Sequence, residues 1–252
     1  MTSPLKPIVH EAEFQIRTYD IDSRKVATLP ALVRLMQEAA MEQVIKLGIS
    51  VWDLEPHDIS WILMRNHMEV VRLPRLGEKI RVRTHPSGFE RVYTYRDFRI
   101  FDESGAQIAS SSTAWLLMNT KTRRLTRIPA FILKLEERLP APETYLPRVN
   151  TKMDKEMAEV HWEKSFRVNW HDLDFNKHLN NTYYIQWMLE SLPQRVLEHK
   201  QLVDMQVQYQ AEALLEDRVV SQCYEKEAGH FQHRLVKEED GKELAYLSTI
   251  WK

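Results

Sequence analysis

The stretch Trp170–Glu190, WHDLDFNKHLNNTYYIQWMLE, decides how the rest of the chain is read. It gathers two carboxylates, three amides and two histidines into a short polar run, then turns at once into an apolar-periodic helix. A turn needs only one Asn or Asp for its geometry. An N-cap at Asn180, Asn181 or Thr182 explains the residues nearest the helix. Neither accounts for Asp174, Asn176 and His178, whose alternate spacing in an extended segment puts all three side chains on one face. A plain polar loop is the competing reading; the residues favour a site.

Working outward, the same pattern occurs earlier. Phe14 matches Phe166, Asp20 matches Asp172, Asp22 matches Asp174 and Glu38 matches Glu190, each pair 152 positions apart. Gly105–Trp115, GAQIASSSTAW, also matches Gly241–Trp251, GKELAYLSTIW, at a shorter spacing of 136, so the second copy has lost residues between its helix and its last strand. In the first copy Thr28 is an expected N-cap, with Pro30 in the first turn. Leu32, Leu35, Met36, Ala39, Ala40, Val44 and Leu47 follow at helical spacing up to Gly48. A strand is expected at Phe14–Tyr19. Further strands are expected at Trp61–Val71, Glu78–His85, Arg91–Phe101 and Gln107–Met118, with turns at Pro74–Gly77, Pro86–Gly88 and Ser104–Gly105. The expectation is an α+β fold of two tandem units, each a long helix against an antiparallel meander. The boundaries are 1–130 for the first unit, 131–160 for a proline-containing linker with a short helix at Phe131–Leu139, and 161–252 for the second.

The repeat sorts the polar residues. Where the second unit has Asn176 and His178, the first has Arg24 and Val26. The aspartates occur in both copies and read as partly structural, so Asn176 and His178 are the residues a purely structural role explains least.

Composition narrows the function. A net charge of −1 speaks against a dedicated nucleic-acid binder, and a single cysteine, Cys223, excludes an intrachain disulfide framework and a multi-cysteine zinc site. No signal peptide, transit segment or membrane-length apolar run is visible, so a cytoplasmic protein is expected. Glycine-rich phosphate loops, GxSxG and HExxH are absent, and neither a cofactor nor a metal is expected.

The run Asp172–Pro193, DLDFNKHLNNTYYIQWMLESLP, resembles the signature of the acyl-ACP thioesterases. The likeness extends to RTYDIDSRKVATLPALVRLMQEAA near the N-terminus and AWLLMNTKTRRLTRIP before the linker, so it covers nearly the whole chain. The resemblance implies a tandem double hotdog, each unit a helix wrapped by an antiparallel sheet. It implies that Asp174, Asn176 and His178 belong to a catalytic network. Through QVQYQAEALLEDRVV it places Glu212 on the family's catalytic glutamate. Where many plant members have a cysteine after that glutamate, this chain has Ala213, which argues against a thiol nucleophile; Cys223 reads as a buried filler.

The expected chemistry is hydrolysis of an acyl-ACP thioester to free fatty acid and carrier. Glu212 would be the base, with His178 sharing its proton and held by Asp174. Asn176 and the amides at the helix start would polarise the carbonyl. Direct attack by Asn176 is an alternative. The acyl chain is expected in the first unit, with Met36, Ala39, Ala40, Trp61, Met64 and Met68 as pocket walls, although such a stripe also fits plain core. Arg123, Arg124 and Arg127, with Arg72, Arg75, Arg81 and Arg83, would dock an acidic carrier protein or else simply charge the strand edges. An acyl-CoA thioesterase, a hotdog enoyl hydratase and a non-catalytic acyl binder are the rival readings. A monomer and a homodimer are both compatible with the pairing of two units in one chain.

Overall fold

The computed structural model describes residues 6–149, 153, 157 and 159–252. The remainder of the expected linker, at 150–152, 154–156 and 158, lies outside the described residues, as do 1–5. In chain order the first unit contains β1 (His10–Gln15), α1 (Leu29–Lys46), α2 (Val51–Leu54), β2 (Ile59–Val70), β3 (Lys79–Glu90), β4 (Tyr93–Asp102) and β5 (Gln107–Asn119). A short helix, α3 (Ala130–Leu133), follows. Then come β6 (Trp162–Arg167), α4 (Asn181–Leu189), α5 (Gln194–His199), β7 (Leu202–Tyr209), β8 (Arg218–Glu227), β9 (His230–Lys237) and β10 (Glu243–Trp251).

The strands form one ten-stranded antiparallel sheet in the order β1-β3-β4-β5-β2-β7-β10-β9-β8-β6. The order reads the same from either edge once each strand is replaced by its counterpart in the other unit. β2 and β7 meet at the centre, from Arg65 opposite Gln208 to Glu69 opposite Asp204, and join the two halves. The repeat is therefore literal in space: β1 and β6, and the starts of α1 and α4, all stand 152 residues apart.

Helix α1 starts where its sequence says it should. Thr28 Oγ1 accepts from the Ala31 N–H at 3.2 Å, and Gly48 ends the helix in the left-handed region. Its buried face, Leu32, Val33, Met36 and Ala39, shares one hydrophobic core with Tyr184, Ile185 and Met188 of α4 and with strands of both units. Burial of this kind, at about 25 cal/mol per Å² of apolar surface, is what holds the helices against the sheet.

Two expected elements differ. The strand expected at Phe14–Tyr19 lies at His10–Gln15, because the chain already turns at Arg17, whose N–H donates to Asp20 Oδ2 at 2.8 Å. No turn forms at Pro86–Gly88: β3 runs on to Glu90, with a register shift between Pro86 and Gly88. Gly88 has φ +137, and a Cβ there would meet the Arg148 guanidinium at 2.6 Å, so the glycine serves a bulge rather than a reversal.

Candidate active site

The loop between β6 and α4 is folded by its aspartates. Asp172 Oδ2 accepts from the Asn169 N–H at 2.8 Å. Asp174 Oδ1 accepts from the Asn176 and His178 N–H groups at 2.8 and 3.1 Å, while its own N–H donates to the His178 carbonyl at 2.8 Å. Burial, only partly offset by these bonds, raises the Asp174 carboxyl above its ordinary value. Asn180 then caps α4, accepting from the Thr182 N–H at 3.0 Å. Across the unit boundary, Gln37 of α1 donates to Asn181 Oδ1 at 2.8 Å.

The opposing wall is the segment after β7. The Leu179 N–H donates to the Ala213 carbonyl at 2.9 Å, which sets the loop against this segment. Tyr184 of α4 clamps it: its hydroxyl donates to the Ala211 carbonyl at 3.1 Å and accepts from the Ala213 N–H at 2.9 Å. Burial pushes the Tyr184 hydroxyl up, so it stays a neutral donor. Glu212, between the two clamped residues, turns its carboxylate toward the loop. His178 Nδ1 lies 3.3 Å from Glu212 Oε1. Glu212 Oε2 makes an ion pair with Arg123, which comes from the loop after β5 in the other unit.

One cavity of about 850 Å³ runs from these groups into the first unit. Asp174, Asn176, His178 and Glu212 line it from the second unit; Ala40, Val44, Leu54, Trp61 and Met64 line it from the first, together with the buried Arg96. Ile132 and Leu135, within the expected linker, also line it and pack with the first unit.

Several expectations need correction. Asp174 meets backbone amides of its own loop, and the partner of the His178 ring is Glu212 rather than Asp174. Met36, Ala39 and Met68 do not line the cavity: they are at most 1% exposed and belong to the core, because they face the sheet or helix rather than the void. Of the six pocket residues, Ala40, Trp61 and Met64 remain. Arg123, expected among the docking arginines, lines the cavity although its side chain is 47% exposed; Arg124 and Arg127 are exposed and do not line it. Arg72 pairs with Glu78 and Asp102, and Arg81 and Arg83 pair with Glu11, so these three serve the sheet surface. Tyr184 and the Arg123–Glu212 pair were not among the site residues expected from the sequence. The tyrosine was hidden in a helical pattern and the arginine in a basic run.

Cys223 is buried on β8, and burial pushes its thiol up to about 12. It does not line the cavity. Among the described residues one group, His67, Glu69 and Asp204, has the donor atoms to hold a metal ion. It lies on the β2–β7 seam, and none of its members lines the cavity. No described helix is long and apolar enough to cross a membrane.

Two helix-plus-sheet units sharing a cavity lined by charged groups and apolar walls define a double hotdog with a candidate acyl site. The chain belongs to the acyl-ACP thioesterase family: residues 7–135 match the acyl-ACP thioesterase N-terminal domain and residues 155–252 the C-terminal domain. It is similar to the chloroplastic acyl-[acyl-carrier-protein] hydrolase FATB2 of Cuphea viscosissima, 30% identical over 97% of this chain and 63% of that protein. It is also similar to the oleoyl-acyl carrier protein thioesterase 2 of Arabidopsis thaliana, 26% identical over 96% of this chain and 76% of the relative. The chain spans a little over three fifths of the length of the Cuphea relatives it matches. Its fold is that of the 12:0-ACP thioesterase from Umbellularia californica, with a TM-score of 0.88, 22% identity and 98% of both chains covered. An acyl-ACP thioesterase from Bacteroides thetaiotaomicron superposes with a TM-score of 0.84 at 20% identity, covering 97% of this chain and 98% of that one.

Proposed function

We propose that the chain hydrolyses the thioester of an acyl group carried by acyl carrier protein, releasing a free fatty acid and the carrier thiol. The observation that carries this reading is that one cavity is lined both by Glu212 and His178 and by apolar residues of the first unit. Family membership supports the same chemistry, and the relatives named above are called hydrolases or thioesterases of acyl carrier protein substrates.

Glu212 takes one proton from a water whose oxygen attacks the thioester carbon. The carbonyl electron pair moves onto its oxygen, and the resulting oxyanion is met by the Asn176 amide near the positive end of α4. On collapse the C–S bond breaks and the proton passes from Glu212 to the departing sulfur. His178, against the other carboxylate oxygen, keeps the base aimed. Asp174 shapes the loop that presents Asn176 and His178. A buried thiol that does not reach the cavity takes no part.

The carrier meets the rim. Phe175 is 64% exposed and Leu125 57% exposed, both line the cavity mouth, and Arg124 is exposed beside Leu125. An apolar rim flanked by cationic side chains suits an acidic carrier that delivers its arm into the mouth.

The experiment is product analysis with carrier proteins bearing a ladder of acyl lengths, run beside acyl-CoA and enoyl-CoA. Free fatty acid forming fastest from the carrier-bound series supports the reading. Faster turnover of acyl-CoA, hydration of enoyl-CoA, or an acyl thioester retained intact would each replace it. In the same assay Glu212→Gln and Asn176→Ala should each lose about 100-fold or more in kcat.

A further inference from the structure

Glu212 is held from two units at once. His178, from its own unit, faces Oε1, and Arg123, from the other unit, pairs with Oε2. The Arg123 backbone is fixed in a tight loop. Its N–H donates to the Asn119 carbonyl at 2.9 Å, the Asn119 side chain accepts from Lys121 and Thr122, and φ of Arg123 is +57. A left-handed φ at a non-glycine residue is uncommon. From this loop a long cationic side chain, 47% exposed, lines the same cavity as Asn176 and His178.

The reaction moves charge past this guanidinium. Before attack the negative charge sits on Glu212. When Glu212 accepts the water proton it becomes neutral, and the charge reappears on the former carbonyl oxygen in the same cavity. A guanidinium offers five donors in a rigid fork, so it can keep one N–H on the carboxyl group while another meets the new oxyanion. Donors already in place where charge develops are the strongest electrostatic aid to acyl transfer.

We propose that Arg123 is a catalytic residue supplied by the first unit: it follows the charge from Glu212 to the oxyanion and stabilises the tetrahedral intermediate. This rests on the role of Glu212 argued above. It also makes the site a composite of both halves, since Arg123 and Glu212 lie on opposite sides of the β2–β7 seam.

The test compares Arg123→Gln, Arg123→Lys and Arg123→Ala with wild type on two substrates bearing the same acyl group. One is the carrier protein thioester and the other the small N-acetylcysteamine thioester, which makes no carrier contact. The proposal expects kcat of Arg123→Gln to fall by about 100-fold on both, with KM nearly unchanged. Arg123→Lys should recover part of the loss. Free guanidinium, far below denaturing concentrations, should raise kcat of Arg123→Ala. A loss confined to the carrier substrate and appearing in KM would overturn the proposal and make Arg123 a docking residue. Full activity of Arg123→Gln on both substrates would overturn it as well. Glu212→Gln in the same panel separates the two claims: if it is inactive while Arg123→Gln is normal, only this inference fails.

Discussion

Lys25 and Lys177 adopt the same left-handed backbone, with φ of 63° and 64°, at the same step of the two loops that lead into α1 and α4. Each donates its N–H to the carbonyl of the preceding aspartate, Asp22 at 2.9 Å and Asp174 at 3.0 Å. Those aspartates in turn accept from the backbone N–H of Arg24 at 2.9 Å and of Asn176 at 2.8 Å. The loop is thus one scaffold used twice, and what differs is what it displays. Arg24 and Val26 stand where Asn176 and His178 stand. Ala27 donates to Pro74 as Leu179 does to Ala213, so Leu73 occupies the position of Glu212. In one copy Asn176 and His178 line the cavity; in the other, Arg24 ties back to Asp22 and to the Lys200 carbonyl.

Paired substitutions follow from this. Asp22→Ala leaves the Arg24 amide, and Asp174→Ala the Asn176 and His178 amides, without an acceptor, and each should lower stability by about 1–3 kcal/mol in denaturant melts. Only Asp174→Ala should also abolish hydrolysis, because only its loop presents the reactive groups. Equal activity of the two variants would contradict the division of labour.

Tyr184 grips both neighbours of Glu212, and Tyr184→Phe leaves the Ala211 carbonyl and the Ala213 N–H without their partner. A stability loss of about 1–3 kcal/mol is expected. Turnover should fall by roughly tenfold with little change in KM, since the base is no longer aimed. Steady-state kinetics on a folded sample check this.

Ala40 lines the cavity and Met36, one turn earlier on α1, does not. Ala40→Phe should shift products toward shorter acyl groups, with about tenfold discrimination against the longest chain wild type accepts. Met36→Ala should cost about 2–5 kcal/mol and leave the product profile unchanged. A profile change in the second variant alone would place the chain elsewhere.

The seam carries a pH dependence. His67 Nε2 lies 2.7 Å from Asp204 Oδ2, and this hydrogen bond raises the His67 pKa above 6.5, with Glu69 adding to the effect. A raised histidine pKa means stabilisation that is fully present below 6.5 and is lost as pH climbs through the higher folded value. His67→Gln should therefore lower Tm most under mildly acidic conditions, and the gap to wild type should narrow as the solution becomes alkaline. A gap independent of pH would show that the pair contributes only packing.

Much of this was legible in the sequence because the duplication supplied its own control. Matching Phe14 to Phe166 and Asp22 to Asp174 fixed two units. The mismatches Arg24/Asn176 and Val26/His178 separated the displayed groups from the scaffold. Two things were hidden for physical reasons. Helical periodicity identifies a buried face but not which part of it borders a void, so Met36 and Ala39 looked equivalent to Ala40. Ion pairs across the seam join residues far apart in the chain, so nothing local marked Arg123 as the partner of Glu212. Pro86–Gly88 carries the composition of a turn, and only the Arg148 guanidinium packed over Gly88 reveals why a bulge forms instead.

The central claim is that the second unit holds the reactive groups while the first houses the acyl chain in the same cavity. A crystal structure with acyl carrier protein bearing a non-hydrolysable amide analogue of the acyl thioester tests it most directly. The account predicts the amide carbonyl beside Glu212, His178 and Asn176, with the chain running between Ala40, Val44 and Trp61. A chain lying outside that cavity, or a carbonyl remote from Glu212, would contradict it.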